Sequence, residues 1–154
     1  MSGTSGMRDA AGFAERVARL EDLEAIRRLV VDYKIALDGK DTDAYVELFA
    51  VDGTLWCTPE LQATGRPAIK ALVDGMSGNL LTEEVGTDFH AIANHQIDLA
   101  GDTATGTLMW LYFTVGADGR PSLAKIGHYT DTYRREDGRW RFHRRDAPTD
   151  IPSS

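Results

Sequence analysis

Three side chains in this sequence are suited to moving a proton at neutral pH: Tyr33, Asp38 and His90. Histidine is the usual general base, and a carboxylate on its second ring nitrogen fixes the tautomer and stabilises the imidazolium that forms. Asp38 falls at the end of a predicted long helix, and His90 falls near the start of a predicted strand. Tyr33, on the same helix, can keep its ring in a core while its hydroxyl reaches a partner. A buried helix-end carboxylate and a satisfied histidine would leave the same trace without any catalysis. Strand alternation puts His90, Ile92 and Asn94 on one face, and Ala91, Ala93, His95 and Ile97 on the other. On the same reasoning Trp110 and Tyr112 share a face, and Trp56 and Trp110 are the expected pocket walls.

Other chemistries lack their residues. The four histidines show no HxH, HxxxH or HExxH spacing on a helix, and Cys57 is the single cysteine, so no metal site is expected. There is no GxSxG nucleophile elbow, phosphate-binding loop or dinucleotide fingerprint, so no cofactor is expected either. The run from Asp38 to Asp43 looks superficially like a calcium loop, but the required glycine and closing glutamate are missing.

These residues need elements to hold them. Apolar residues recur at Leu20, Leu23, Ile26, Leu29 (or Val30), Tyr33 and Leu37, which predicts an amphipathic helix from near Phe13, with Gly39 as its C-cap. Asp41 is the expected N-cap of a second helix, and Arg66-Pro67 opens a third that Gly75 and Gly78 bring to an end. Asp52-Gly53 reads as a turn into a short strand at residues 54–58, and residues 60–65 and Gly86-Thr87 read as loops. From Asp88 on, long strands follow at about 89–99, 103–115, 122–135 and 140–146, with Asp137-Gly138 the strongest hairpin signal. Helices followed by hairpin-linked strands give an α+β class, with about three N-terminal helices on a mostly antiparallel sheet that Gly101, Gly106, Gly116 and Gly127 would allow to be curved around them. Such a sheet makes a cone, an α+β barrel with its pocket at the open end. The domain is expected over residues 12–148, with flexible tails at 1–11 and 149–154.

A net charge of −7 argues against nucleic-acid binding, no apolar run approaches membrane-spanning length, and a cytoplasmic location is the expectation. Both faces of the Trp110 strand carry apolar bulk, so a partner subunit on the outer face is expected, as a homodimer or homotrimer through the sheet.

The order of long helix, YxxxxD, short helix ending in LF, DGTLW, GRPAI, FHAIAN and YRREDGRWRF resembles the SnoaL-like branch of the nuclear transport factor 2-like superfamily over residues 18–147. Within that branch the chain is most similar to scytalone dehydratase, hexachlorocyclohexane dehydrochlorinase and bile-acid 7α-dehydratase. The resemblance implies a conical pocket and a catalytic dyad, for which Asp38 and His90 stand at the matching positions. It implies a role for Tyr33, which matches the bile-acid enzyme, and for Arg145 on the last strand, or Arg144 if that strand bulges. No counterpart of the second histidine of scytalone dehydratase is present, because Trp110 or Tyr112 stands there. The function so implied is a cofactor-independent lyase, a dehydratase or related eliminating enzyme, acting on a small hydrophobic cyclic substrate that Asn94, Trp56, Trp110, Tyr112 and Arg145 would contact. An isomerase or cyclase, or a non-catalytic binding module, would use the same pocket.

Overall fold

The computed structural model describes residues 3–76 and 87–151. Its elements are α1 (Gly3–Asp38), α2 (Thr42–Glu47), β1 (Phe49–Trp56), β2 (Gln62–Thr64), α3 (Arg66–Met76), β3 (Asp88–Ala100), β4 (Thr103–Val115), β5 (Pro121–Glu136), β6 (Arg139–Asp146) and β7 (Thr149–Ile151). One sheet runs in the order β2-β1-β6-β5-β4-β3, with β7 added against β5. All described pairings are antiparallel except β1 with β6. The sheet is curved and unclosed, its edges β2 and β3 leaving an α+β cone rather than a complete barrel.

Register shifts interrupt β1–β6, β3–β4, β4–β5 and β5–β6, and each extra residue bends its strand. The concave face so formed receives Ile26, Leu29, Val30 and Tyr33 of α1, Tyr45 and Val46 of α2, and Ile69 and Val73 of α3. Leu55, Leu108, Tyr129, Tyr133 and Phe142 meet them from the sheet. Asp22 pins α1 further along, accepting from Arg135 at 2.7 Å and from Trp140 Nε1 at 2.9 Å.

The long strands of the C-terminal half lie where alternation and turn chemistry put them. Asp137 and Gly138 have φ of 49° and 75°, the left-handed pair that a two-residue hairpin requires. Asp41 caps α2 by accepting from the Ala44 N–H at 2.9 Å. Six expectations need correction. Helix α1 starts at Gly3, not near Phe13, so the proposed tail at 1–11 is helical from residue 3; propagating a helix costs far less than nucleating one. Leu20 is 65% exposed, because the stripe engages the sheet only from Leu23 onward. Asp52-Gly53 is no turn: β1 begins at Phe49 and bulges there, with Gly53 so close to the Phe142 carbonyl that a Cβ would sit 2.8 Å from its oxygen. The loop at 60–65 contains strand β2, and Gly75 lies inside α3; Gly78 and Gly86 fall outside the described residues. Thr149–Ile151, taken as a tail, forms β7.

β7 is seated by Gly127. A Cβ there would come within 2.2 Å of the Trp110 ring and 2.3 Å of the Pro148 carbonyl oxygen, so only glycine lets the indole and the C-terminal strand meet over β5. Gly127→Ala is expected to lower unfolding free energy by about 1–3 kcal/mol, the usual cost of overpacking, as read by denaturant titration.

Candidate active site

The end of α1 is built to present two side chains to the sheet. The helix closes in a Schellman arrangement: the Asp41 N–H bonds to the Ala36 carbonyl at 2.9 Å, and the Lys40 N–H to that of Leu37 at 3.2 Å. The left-handed residue of this motif is Lys40, with φ of 57°, rather than the expected Gly39. A lysine in that conformation costs about 1 kcal/mol relative to glycine. The turn leaves Asp38 facing β3 and throws Lys40 across to the same strand two residues earlier.

Asp38 and His90 are in direct contact. An Asp38 carboxylate oxygen lies 2.8 Å from His90 Nδ1, and the His90 backbone N–H donates to both carboxylate oxygens, at 3.2 and 3.1 Å. Lys34 Nζ adds an ion pair at 2.8 Å. Burial raises the Asp38 pKa, but the bonds from the His90 ring, Lys34 and the His90 backbone outweigh it, and the carboxyl is held below its ordinary range. An ionised carboxylate can only accept, so Nδ1 must carry its proton and Nε2 is left as the basic nitrogen. The imidazole packs against Tyr112, with ring centroids 4.8 Å apart, and edge-on to Trp110 at 6.1 Å.

His90 lines a cavity of about 480 Å³. Tyr33, Trp56, Trp110 and Tyr112 line it as well. Trp110 is fixed by donating from Nε1 to the His128 carbonyl at 3.2 Å. Tyr33 accepts a 2.7 Å bond from the Tyr45 hydroxyl, which leaves its own proton to donate. Burial holds the Tyr33 hydroxyl well above its ordinary pKa, with Tyr45 adding to the effect and the Arg145 charge opposing it. Tyr33 is therefore a donor at neutral pH, not a phenolate.

Two expected pocket residues lie elsewhere. Asn94 sits at the bulge between Ala93 and Gln96, with φ of 57°, and its side-chain amide donates outward to the Met109 sulfur at 3.6 Å. The bulge reverses the alternation that follows, so His95 faces inward, its Nε2 3.1 Å from the Tyr133 hydroxyl. Arg145 is 0% exposed and does not line the cavity. Its guanidinium makes a fork of 2.8 and 2.6 Å to Asp131, and stacks over the rings of Tyr33, Tyr129 and Phe142 at 4.1, 3.9 and 4.1 Å. Burial opposes the charge, but Asp131 and the tyrosines outweigh it and the guanidinium stays ionised. The last strand thus supplies a buried pillar beneath the pocket. Its neighbour Arg144 pairs with Asp146 at 2.7 Å.

Several cavity residues escaped the sequence reading: Lys40, Asp88, Tyr45, Lys125 and Tyr129. Asp88 accepts from Lys40 Nζ at 2.9 and 3.0 Å and from the Tyr112 hydroxyl at 2.8 Å. The Lys40 and Asp88 side chains are only 12% and 3% exposed, so this network is part of the wall. Period-two spacing from His90 would have found Asp88. Nothing in the sequence announced a lysine in the left-handed turn. Cys57 also lines the cavity, with burial pushing its thiol pKa up to about 11. Among the described residues no cluster of three histidine, cysteine or acidic side chains could hold a metal ion. Nor is any described helix long and apolar enough to cross a membrane.

A curved, mostly antiparallel sheet packed on helices, with an apolar pocket between them, is the architecture of the small-molecule-binding α+β cones of the nuclear transport factor 2-like superfamily. The chain belongs to the SnoaL-like domain family within it, whose model matches residues 18–146. A nuclear transport factor 2-like protein with a cystatin-like fold from Novosphingobium aromaticivorans is 30% identical, over 99% of this chain and 95% of that one, with a TM-score of 0.83. A candidate scytalone dehydratase from the same organism is 28% identical over 86% of this chain and 87% of that one, with a TM-score of 0.70. LinA shares the fold at 22% identity, over 88% and 90% of the two chains, with a TM-score of 0.72. Comparison with curated proteins gave no match.

Two stability experiments separate the pocket from its support. Removing the guanidinium in Arg145→Met strands a buried Asp131 carboxylate, with an expected loss of about 3–5 kcal/mol on denaturant unfolding. Asp38 has a lowered folded pKa, so its stabilisation is complete above the unfolded value of about 3.9 and fades as pH falls through the folded value. The stability advantage of wild type over Asp38→Asn should therefore shrink from about pH 4 downwards in acid titrations followed by circular dichroism.

Proposed function

We propose that this protein is a cofactor-independent lyase that removes water, or a related leaving group, from a small hydrophobic cyclic substrate. The observation that carries the reading is the 2.8 Å Asp38–His90 contact at the wall of a 480 Å³ cavity. His90 Nε2 takes a proton from a carbon acidified by a neighbouring carbonyl; Asp38 holds the tautomer and stabilises the imidazolium. Tyr33 donates to the departing oxygen or to the enolate oxygen. The aromatic walls, Trp56, Trp110 and Tyr112, hold an apolar ring out of water, where positioning supplies much of the acceleration. The bond that breaks is between the leaving oxygen and the carbon next to the carbanion, and the proton on His90 is available to the departing hydroxide. A 28% identical neighbour described as a candidate scytalone dehydratase favours elimination over the other reactions this fold could host.

An isomerase or cyclase would use the same base and the same donor, returning the proton without a leaving group. Product mass separates the two, since only elimination lowers it. Self-association through the outer face of the sheet fits the exposed Phe89, Met109 and Leu123, and the stacking of Phe89 on Phe113 at 5.2 Å.

The test is a panel of cyclic β-hydroxycarbonyl compounds, incubated with purified protein and followed by mass spectrometry for loss of water. Turnover of at least one member is expected, falling about 10²–10⁴-fold in His90→Ala and in Asp38→Asn while each variant keeps its fold by circular dichroism. Near-wild-type turnover in either folded variant would remove the dyad from the mechanism.

A further inference from the structure

We infer that Lys125 is an anion-recognising residue of the pocket, selecting apolar substrates that carry a carboxylate or similar anionic oxygen. The inference rests on the pocket reading above and adds a substrate class to it. His90, Tyr112 and Lys125 are successive register partners across β3, β4 and β5. They therefore form one transverse row on the concave face, and strand spacing puts the Lys125 Cα about 10 Å from that of His90. The row is continuous along the pocket wall, since His90, Tyr112 and Lys125 all line the cavity.

The charges along the wall do not balance. The chain has four lysines, Lys34, Lys40, Lys70 and Lys125. The first three have carboxylate partners: Lys34 with Asp38, Lys40 with Asp88, and Lys70 with Asp43 and Asp74. Among the described residues Lys125 forms no ion pair and no side-chain hydrogen bond. Asp88, the acidic residue of the lining, is already taken by Lys40 and Tyr112. Lys125, half-buried as a residue, thus brings a positive charge with no anionic partner among the described residues to a largely apolar pocket wall, in a protein whose overall charge is −7. A ligand carboxylate at this wall would replace the hydration it loses on entering the pocket with a charge-assisted contact.

The geometry divides the labour along the row. The anionic end of the ligand is held at Lys125 on β5, the ring lies over Tyr112, and the carbon that loses its proton faces His90 on β3. Lys125 sits beyond the dyad and touches neither Asp38 nor His90, so it is a specificity residue and not a proton carrier.

The experiment is isothermal titration calorimetry with two shape-matched probes, 2-naphthoate and the neutral 2-naphthalenemethanol. Wild type is expected to prefer naphthoate by roughly tenfold, the worth of a charge-assisted bond in a half-buried site, with the preference falling as salt is raised. Lys125→Gln should lose that preference, and Lys125→Arg should retain it. Equal affinity for the two probes in wild type, absence of naphthoate binding, or an unchanged preference in Lys125→Gln overturns the assignment. His90→Ala should keep the naphthoate preference whether or not it abolishes turnover. A failed dyad and a failed anion site are thereby read on separate measurements.

Discussion

The contact on which this structure depends is the one between the Asp38 carboxylate and the amide and imidazole of His90. It joins the last residue of a long helix to the third residue of the first long strand. An anion at a helix C-terminus faces the negative end of the helix dipole, an unfavourable position by itself. It is stable there because three donors, from the His90 backbone, the His90 ring and Lys34, converge on it. The same bonds orient the imidazole toward the cavity. Fold and site are therefore closed by one set of hydrogen bonds, and the neighbouring Lys40–Asp88 pair repeats the link one strand-period away.

Below this contact lies a second polar system with another purpose. Arg145 and Asp131 are wholly buried and paired through Arg145 Nε and Nη2, while Nη1 finds no hydrogen-bond partner and the faces of Tyr33, Tyr129 and Phe142 surround the guanidinium. Tyr133 donates to Asp131 at 2.7 Å, and so its hydroxyl accepts from His95 Nε2. The chain from His95 to Arg145 thus runs through the buried interior and ends against the pocket residues Tyr33 and Tyr129. Its charge reaches the pocket residues Tyr33, Tyr45 and Tyr129, whose hydroxyl pKa values the Arg145 cation lowers against the effect of burial. The two histidines on β3 consequently hold opposite tautomers, with the proton on Nδ1 in His90 and on Nε2 in His95.

Much of this was legible in the residues. Period-two alternation and the Asp137-Gly138 signal placed the long C-terminal strands, and the apolar stripe of α1 ended beside Asp38 as its spacing required. His90, close to the start of its strand, was reached before any irregularity could disturb the alternation. Asn94, four residues on, was not: one bulge put it outside and turned His95 inward. Arg145 was placed in the pocket by resemblance, whereas its partner Asp131, which holds it below the floor, carries no motif at all. Lys40 and β7 were missed for a related reason. A left-handed lysine and a three-residue strand depend on what packs against them, and short local sequence does not encode that partner.

The central claim is that Asp38 fixes the proton of His90 on Nδ1 and leaves Nε2 basic and turned to the cavity. Two-bond proton–nitrogen correlation spectra of protein labelled with ¹⁵N-histidine, recorded at about pH 8.5 where imidazoles are neutral, read the tautomer of each ring directly. The account requires a protonated Nδ1 and an unprotonated Nε2 for His90, and the reverse pattern for His95. A His90 ring protonated on Nε2, or one exchanging freely between both tautomers, would contradict it.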